Sequence, residues 1–234
     1  DYVLINDGMG FRWDEWETWL PQKMADFKPD LIGHSVMTPQ WKYTSIIGKY
    51  LKQHYPDVVQ AVGGPHPSQY PEQLFAETAD FADFICLGEG DNALPDFLGT
   101  TDREELVARN YSTDFKGLWF RFADGRVVKN PNDTFVDLSK LPPEDKSIFD
   151  LDAYVKEKGN QIEVTVGRGC PYKCTYCFNE ANFNLYKKDN PELKIKNYLR
   201  FKDMDVIFEE IKDALEMTTT PIRALAFVDD NFLI

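Results

Sequence analysis

The sequence predicts an α/β fold built on a parallel sheet, with a second α/β segment behind it. Over its first two thirds, short apolar runs alternate with amphipathic stretches. The early runs end in Gly, Ser and Thr, the residues of strand-to-helix turns. A fresh apolar run then begins at Ile162, beyond a proline-bearing stretch.

Tyr2–Ile5 reads as a strand, and Trp13–Phe27 as a helical region interrupted or entered at Pro21. Leu31–Val36 is the next strand. Trp41–His54 follows as a helix, with Ile46, Ile47, Tyr50 and Leu51 on one face. Val58–Val62 is a third strand, ending in Gly63-Gly64-Pro65-His66. Pro71 suits the first turn of a helix running to Ala79, and Phe84–Leu87 is a fourth strand ending in Gly88-Glu89-Gly90.

The pattern then changes. Leu118–Phe122 and Arg126–Lys129 flank Ala123-Asp124-Gly125, a β-hairpin signal with Gly where positive φ is needed. Leu138–Asp150, with Pro142-Pro143, reads as part of a linker. Ile162–Val166 is a strand leading into a cysteine loop. After a polar, Lys-rich stretch, Met204–Met217 is a helix with Ile207, Phe208, Ile211 and Leu215 facing inward, capped by Asp203 or Asp205. Ile222–Val228 is nearly continuous in apolar residues, as a strand buried on both faces would be. The expected division is residues 1–137, a linker at 138–155, and 156–234.

Hydrophobic residues at 43% and charged ones at 28% are enough for a packed globular core. No apolar run approaches the roughly 18 residues of a membrane span, and the start lacks a basic signal-peptide region. A net charge of −13 argues against a broad nucleic-acid surface, so none is expected as a partner. The chain starts on Asp1 and stops just after an apolar run, which suggests a segment of a longer protein, not itself competent for turnover.

Three of the four cysteines crowd into Gly167-Arg168-Gly169-Cys170-Pro171-Tyr172-Lys173-Cys174-Thr175-Tyr176-Cys177, unlike a disulfide framework. They read as metal ligands in a reducing cytoplasm. Three thiolates on a loop with two glycines and a proline can surround one iron–sulfur cubane; with no fourth cysteine downstream, one iron keeps an open site. A structural zinc site would need four ligands, and no His lies near this loop.

Cys170-x3-Cys174-x2-Cys177, with Tyr176 before the last Cys and a strand before the loop, resembles the radical S-adenosylmethionine (SAM) enzymes. The resemblance implies a [4Fe–4S] cluster on Cys170, Cys174 and Cys177, with SAM chelated at the open iron. It also implies cleavage of SAM to methionine and a 5′-deoxyadenosyl radical. Tyr176 would approach the adenine, or simply pack against the barrel wall. Arg168 and Lys173 would be solvated or offset the cluster's charge. Asp229 or Asp230, at the end of the last strand, would reach SAM or cap the next turn. The family's common Gly-Gly-Glu variant is absent there.

The front segment carries Leu31-Ile32-Gly33-His34-Ser35-Val36-Met37-Thr38, then Val62-Gly63-Gly64-Pro65-His66-Pro67, then Gly88-Glu89-Gly90-Asp91. In this order they resemble the cobalamin-binding domain of one branch of the same family. The implied fold is a Rossmann-like parallel sheet of the cobalamin-binding type with a β-hairpin extension, followed by the first strands of a partial (β/α) radical SAM barrel. Ser35, Met37, Thr38, Gly63, Gly64, His66, Gly88, Glu89 and Gly90 would contact cobalamin, because ligands of open parallel sheets bind at the strands' carboxyl ends. Turn and packing roles are the alternatives for Ser35, Met37, Thr38 and the glycine pair. Neither His34 nor His66 sits in the Asp-x-His-x-x-Gly ligand signature, so no axial His is expected and His66 would line the nucleotide tail. Cys86 reads as an ordinary buried residue, and Trp13, Trp16 and Trp19 as core or interdomain surface.

The implied activity is a cobalamin-dependent radical SAM methyltransferase acting on an unactivated centre of a small molecule, fed by a flavodoxin- or ferredoxin-type donor. A porphyrin cyclase-like radical ring closure or rearrangement is the alternative. A non-catalytic electron-transfer protein is a third reading, which a fourth cysteine would have favoured.

Overall fold

The structure, a computed structural model, describes residues 16–148 and 150–233. The expected strand at Tyr2–Ile5 and Trp13 lie outside the described residues. Along the chain run α1 (Trp16–Phe27), β1 (Leu31–Ser35), α2 (Trp41–His54), β2 (Val59–Gly63), α3 (Pro65–Gln69), α4 (Pro71–Glu77) and β3 (Phe84–Cys86). Next come α5 (Gly90–Thr100), α6 (Arg103–Ala108), β4 (Leu118–Arg121) and β5 (Val127–Lys129). Then follow α7 (Leu151–Glu157), β6 (Gln161–Val164), β7 (Gly167–Arg168), α8 (Asn179–Asp189), α9 (Ile195–Tyr198), β8 (Arg200–Phe201), α10 (Met204–Met217) and β9 (Ala224–Phe227).

These elements form two compact units that are not consecutive stretches of chain. One comprises Lys28–Val136 and Lys173–Leu193, so it includes α8. The other comprises α1, Asp137–Tyr172 and the described part of Lys194–Ile234.

The first unit holds a five-stranded sheet in the order β1-β2-β3-β4-β5. β1, β2 and β3 are parallel, in the register Leu31↔Val59 and Val62↔Ile85. The hairpin β4–β5 is not a separate flap. It adds to the sheet antiparallel to β3, with Phe84 opposite Phe120. Side chains alternate between faces along a strand. Val59, Ala61, Phe84 and Cys86 therefore pack with Phe97 and Leu106 in one core. Val62 and Ile85 pack with Leu74, Phe75 and Phe81 in the other. Burial on both faces explains why β3 reads as an unbroken apolar run and why β2 is apolar except for Gln60.

α2 has its expected bounds but buries Thr44, Gly48 and Leu51, and Ile46 is exposed. The cause is Phe81. A Cβ at position 48 would lie 2.4 Å from its ring, so only glycine lets the helix close on that ring. α1 runs through Pro21 and lines up Trp16, Leu20 and Met24 as its buried stripe.

In the second unit β6 and β9 pair in parallel from Gln161↔Ala224 to Val164↔Phe227. α7 and α10 contribute Leu151, Val155, Ile207 and Ala214 to a core with Ile162 and Val164. Two expectations are corrected here. On α10, Phe208 and Leu215 are exposed, and Ile207, Glu210 and Ala214 face inward. β9 is not buried on both faces: Leu225 and Phe227 are exposed, because β6 is its only strand partner among the described residues. Asp203 takes the N-cap position of α10 but makes no side-chain cap bond. Among the described residues no helix is long and apolar enough to cross a membrane.

Candidate functional site

The carboxyl ends of β1, β2 and β3 form a shelf in the first unit. Beyond β1, the Val36 amide donates to the Gly63 carbonyl at 2.8 Å, extending the pairing by one residue. Val36 is buried, and Ser35, Met37 and Thr38 are exposed. Gly64 has φ +100°, a region that side chains rarely adopt. A Cβ there would meet the Val36 amide nitrogen at 2.7 Å. Gly64 thus lets two strand ends close together beneath an open surface bearing the hydroxyls of Ser35 and Thr38 and the Met37 thioether.

Both histidines of this region are engaged within the unit. Gln60 Nε2 donates to the Gly48 carbonyl at 3.1 Å, which turns its Oε1 toward His34. His34 Nε2 therefore carries a proton and donates to that oxygen at 3.0 Å. Burial pushes the His34 pKa below its ordinary value, partly offset by this bond. His66 packs beside Trp41 and Tyr70, with its Nδ1 3.1 Å from Thr38 Oγ1. Burial lowers its pKa too, against the nearby Glu77 charge, which raises it.

The third strand end is Gly88-Glu89-Gly90. The Gly88 amide donates to Ser68 Oγ at 2.8 Å, and Ser68 Oγ donates to the Gly64 carbonyl at 2.8 Å. The Glu89 amide donates to the Tyr186 hydroxyl at 2.5 Å, and Glu89 Oε2 accepts the Val136 amide at 3.2 Å. Ser68 and Tyr186 were not singled out in the sequence. Phe183 and Tyr186, one turn apart in the Lys-rich stretch, were the available signal of a buried helix face.

The cysteine loop leaves β7, whose pairing with β8 places Gly167 opposite Phe201. Gly169 has φ +91°, and a Cβ there would lie 2.1 Å from the Tyr198 carbonyl oxygen. The two glycines thus let the start of the loop pass directly over the 198–201 backbone. Asp229, half-buried, accepts the Val166 amide at 3.0 Å and the Gly167 amide at 2.6 Å. Its carboxylate is therefore committed to the strand that enters the loop, whereas Asp230 is exposed. Tyr176 is 91% exposed, so it does not pack against the fold. Lys173 pairs with Glu180 at 3.1 Å.

Cys170, Cys174 and Cys177 are free thiols, half-buried, exposed and half-buried in turn. In number and chemistry this donor set suits an iron–sulfur cluster. Among the described residues, no three His, Cys, Asp or Glu side chains converge as a metal site. Cys86 is buried, and burial, with Asp91 adding to it, pushes its thiol up to about 12. It is a packed core residue.

An ion triad, with Lys202 and Glu210 buried and Glu144 exposed, also escaped sequence reading. Lys202 Nζ lies 2.8 Å from Glu144 and 2.8 Å from both oxygens of Glu210, which is only 3% exposed. The Lys202 amide donates to the Val166 carbonyl at 2.9 Å, next to the residues that Asp229 ties. Burial works against the Lys202 charge, but its two carboxylate partners outweigh this and raise its pKa.

Residues 18–98, which contain β1 to β3, match the B12-binding domain family. The chain is 28% identical over 180 residues to the cobalamin-dependent radical SAM methyltransferase TokK of Streptomyces tokunonensis, covering 73% of this chain and 25% of TokK. The chain matches a fragment of the cobalamin-dependent radical SAM enzymes. The anaerobic magnesium-protoporphyrin IX monomethyl ester cyclase of Rubrivivax gelatinosus is 26% identical over 175 residues, covering 73% of this chain and 31% of the cyclase. The chain thus spans at most about a third of the length of these curated relatives. In fold it resembles OxsB, a cobalamin-dependent radical SAM enzyme solved with aqua-cobalamin and SAM, at a TM-score of 0.65 and 22% identity. That likeness covers 96% of this chain and 28% of OxsB. The radical SAM methyltransferase TsrM of Kitasatospora setae, solved with cobalamin and a [4Fe–4S] cluster, gives a TM-score of 0.59 at 17% identity. There the match covers 96% of this chain and 41% of TsrM.

Proposed function

We propose that this chain forms the cofactor-binding part of a cobalamin-dependent radical SAM enzyme that methylates an unactivated centre of a small molecule. One observation carries the reading. In a single chain, a glycine-closed, hydroxyl-bearing shelf at parallel strand ends is followed by a Cys-x3-Cys-x2-Cys loop of free thiols.

The shelf from Ser35 to Thr38, with Gly63-Gly64 and Gly88-Glu89-Gly90, would receive cobalamin. His66 would line its tail while held by Thr38. His34, donating to Gln60, has its proton directed into the unit, in keeping with cobalt that has no axial His. Cys170, Cys174 and Cys177 would hold a [4Fe–4S] cluster, for which a reducing, cytoplasmic setting and a flavodoxin- or ferredoxin-type donor are inferred. Exposed Tyr176 and Asp230 are the groups offered to SAM, and Asp229 acts by tying the loop's entry. When bound, the cluster supplies the electron that cleaves SAM, and cobalamin carries a methyl group.

The similarity to the Rubrivivax cyclase favours a second reading, radical ring closure without methyl transfer. Product analysis of the full-length protein with its substrate separates the two. Methylation requires S-adenosylhomocysteine and 5′-deoxyadenosine in near-equal amounts. Production of 5′-deoxyadenosine alone, with no methyl group consumed, would replace the first reading by the second.

A further inference from the structure

Tyr186 lies in the middle of α8, only 2% exposed, with its ring 4.4 Å from that of Phe135. Its hydroxyl accepts the Glu89 amide at 2.5 Å. The adjoining Gly88 has φ +71°, and a Cβ there would fall 2.3 Å from the same hydroxyl. A glycine is thus required where the hydroxyl presses on the loop. With Ser68 holding the Gly88 amide and the Gly64 carbonyl, one line of hydrogen bonds runs from the end of β2 to α8.

α8 is itself fixed to the sheet's far segment. The backbone amide and Nδ2 of Asn132 donate to Asp189 at 2.8 and 2.7 Å. Asn190 Nδ2 donates to the Asp133 carbonyl at 3.1 Å. At its other end α8 begins at Asn179, whose Nδ2 lies 3.5 Å from Cys177 Sγ. A helix moves as one body because its backbone bonds are internal. What shifts Tyr186 therefore reaches Cys177 within the same unit.

We propose that Tyr186 is a positioning residue that couples the cobalamin shelf to the Cys177 end of the cysteine loop. The proposal rests on the cobalamin reading above. A corrin seated on Gly88-Glu89-Gly90 bears on the Tyr186 hydroxyl, and α8 transmits that load to the thiol.

The test uses the full-length protein without its cluster, cyanocobalamin as the probe, and the alkylation rate of Cys177 read by mass spectrometry. In the wild type, cyanocobalamin slows alkylation of Cys177. Tyr186→Phe is expected to bind cyanocobalamin about tenfold more weakly, as for one lost hydrogen bond to a partly buried amide. At saturating cyanocobalamin it should no longer protect Cys177. Protection that persists in Tyr186→Phe at saturation means direct shielding and overturns the proposal. So does unchanged affinity. Should Tyr186→Phe not fold, hydrogen exchange on the wild type decides. Cyanocobalamin must slow the Glu89 amide and the α8 amides together, and an unaffected α8 overturns the coupling. A wild type that binds no cyanocobalamin defeats the cobalamin reading itself, an outcome distinct from the others.

Discussion

The Asp229 carboxylate accepts the Gly167 amide at 2.6 Å, so the end of β9 holds the short strand that opens the cysteine loop. The Val166 amide shares the same carboxylate. Asp229→Ala leaves both amides without this acceptor and should cost about 2–3 kcal/mol, as for hydrogen bonds to a charged group. Asp229→Asn keeps one acceptor oxygen and should cost less. Urea denaturation of the two variants measures the difference, and equal stabilities would mean that the charge contributes nothing.

Anaerobic reconstitution of the full-length protein should load about four irons per chain, matched by sulfide. Changing Cys170, Cys174 or Cys177 to Ala should abolish this. Cys86→Ala should not, because the buried Cys86 thiol is held protonated by a pKa of about 12. A colourless product with one tightly bound zinc would contradict the cluster assignment.

Lys202→Ala should destabilise the second unit by about 3–5 kcal/mol, since it strands the buried Glu210 carboxylate. Replacing the pair together, Lys202→Met with Glu210→Leu, should recover most of that loss in the same thermal melt. The triad also sets a pH dependence. Burial raises the Glu144 pKa, but Lys202 and Lys146 together outweigh it and leave the carboxyl below its ordinary 4.5. A depressed carboxyl stabilises above that ordinary value and loses its contribution as pH falls through its folded value. Lys202, raised above 10.5, contributes at every lower pH and loses its share only above that. Stability from this triad should be level through neutrality and fall in acid, and the acid fall should shrink in the double variant.

His34 supplies a second acid-sensitive contribution. Burial holds its pKa below 6.5, so the unfolded chain binds the proton more readily than the folded one. Its contribution is complete above 6.5 and is lost as pH falls through the folded value. His34→Gln should flatten the stability–pH curve just below 6.5, read by urea midpoints across that range. An unchanged slope would show that His34 titrates alike in both states.

Much of the molecule was legible locally. The two-faced burial of β3 shows as an unbroken apolar run and that of β2 as a run interrupted only by Gln60, because each residue of such a strand meets a core. The cysteine spacing shows because chelation by one loop is a local property of the chain. The α2 face was misread because the ring that selects it, Phe81, lies 33 positions after Gly48 in the chain. Hydrophobicity favoured Ile46 and Ile47, but the space beside Phe81 admits only glycine.

The sequence alone determined the alternation of strands and helices, the glycines at strand ends, and the three clustered thiols. These depend on periodicity, backbone freedom and spacing over a few residues. Tertiary structure decided which polar groups are buried and what they hold. Nothing local to Glu210, Lys202 or Tyr186 marks them as buried, since charge and hydroxyl favour water by default. Only the folded chain supplies the partners, Lys202 for Glu210 and the Glu89 amide for Tyr186, that compensate their loss of water.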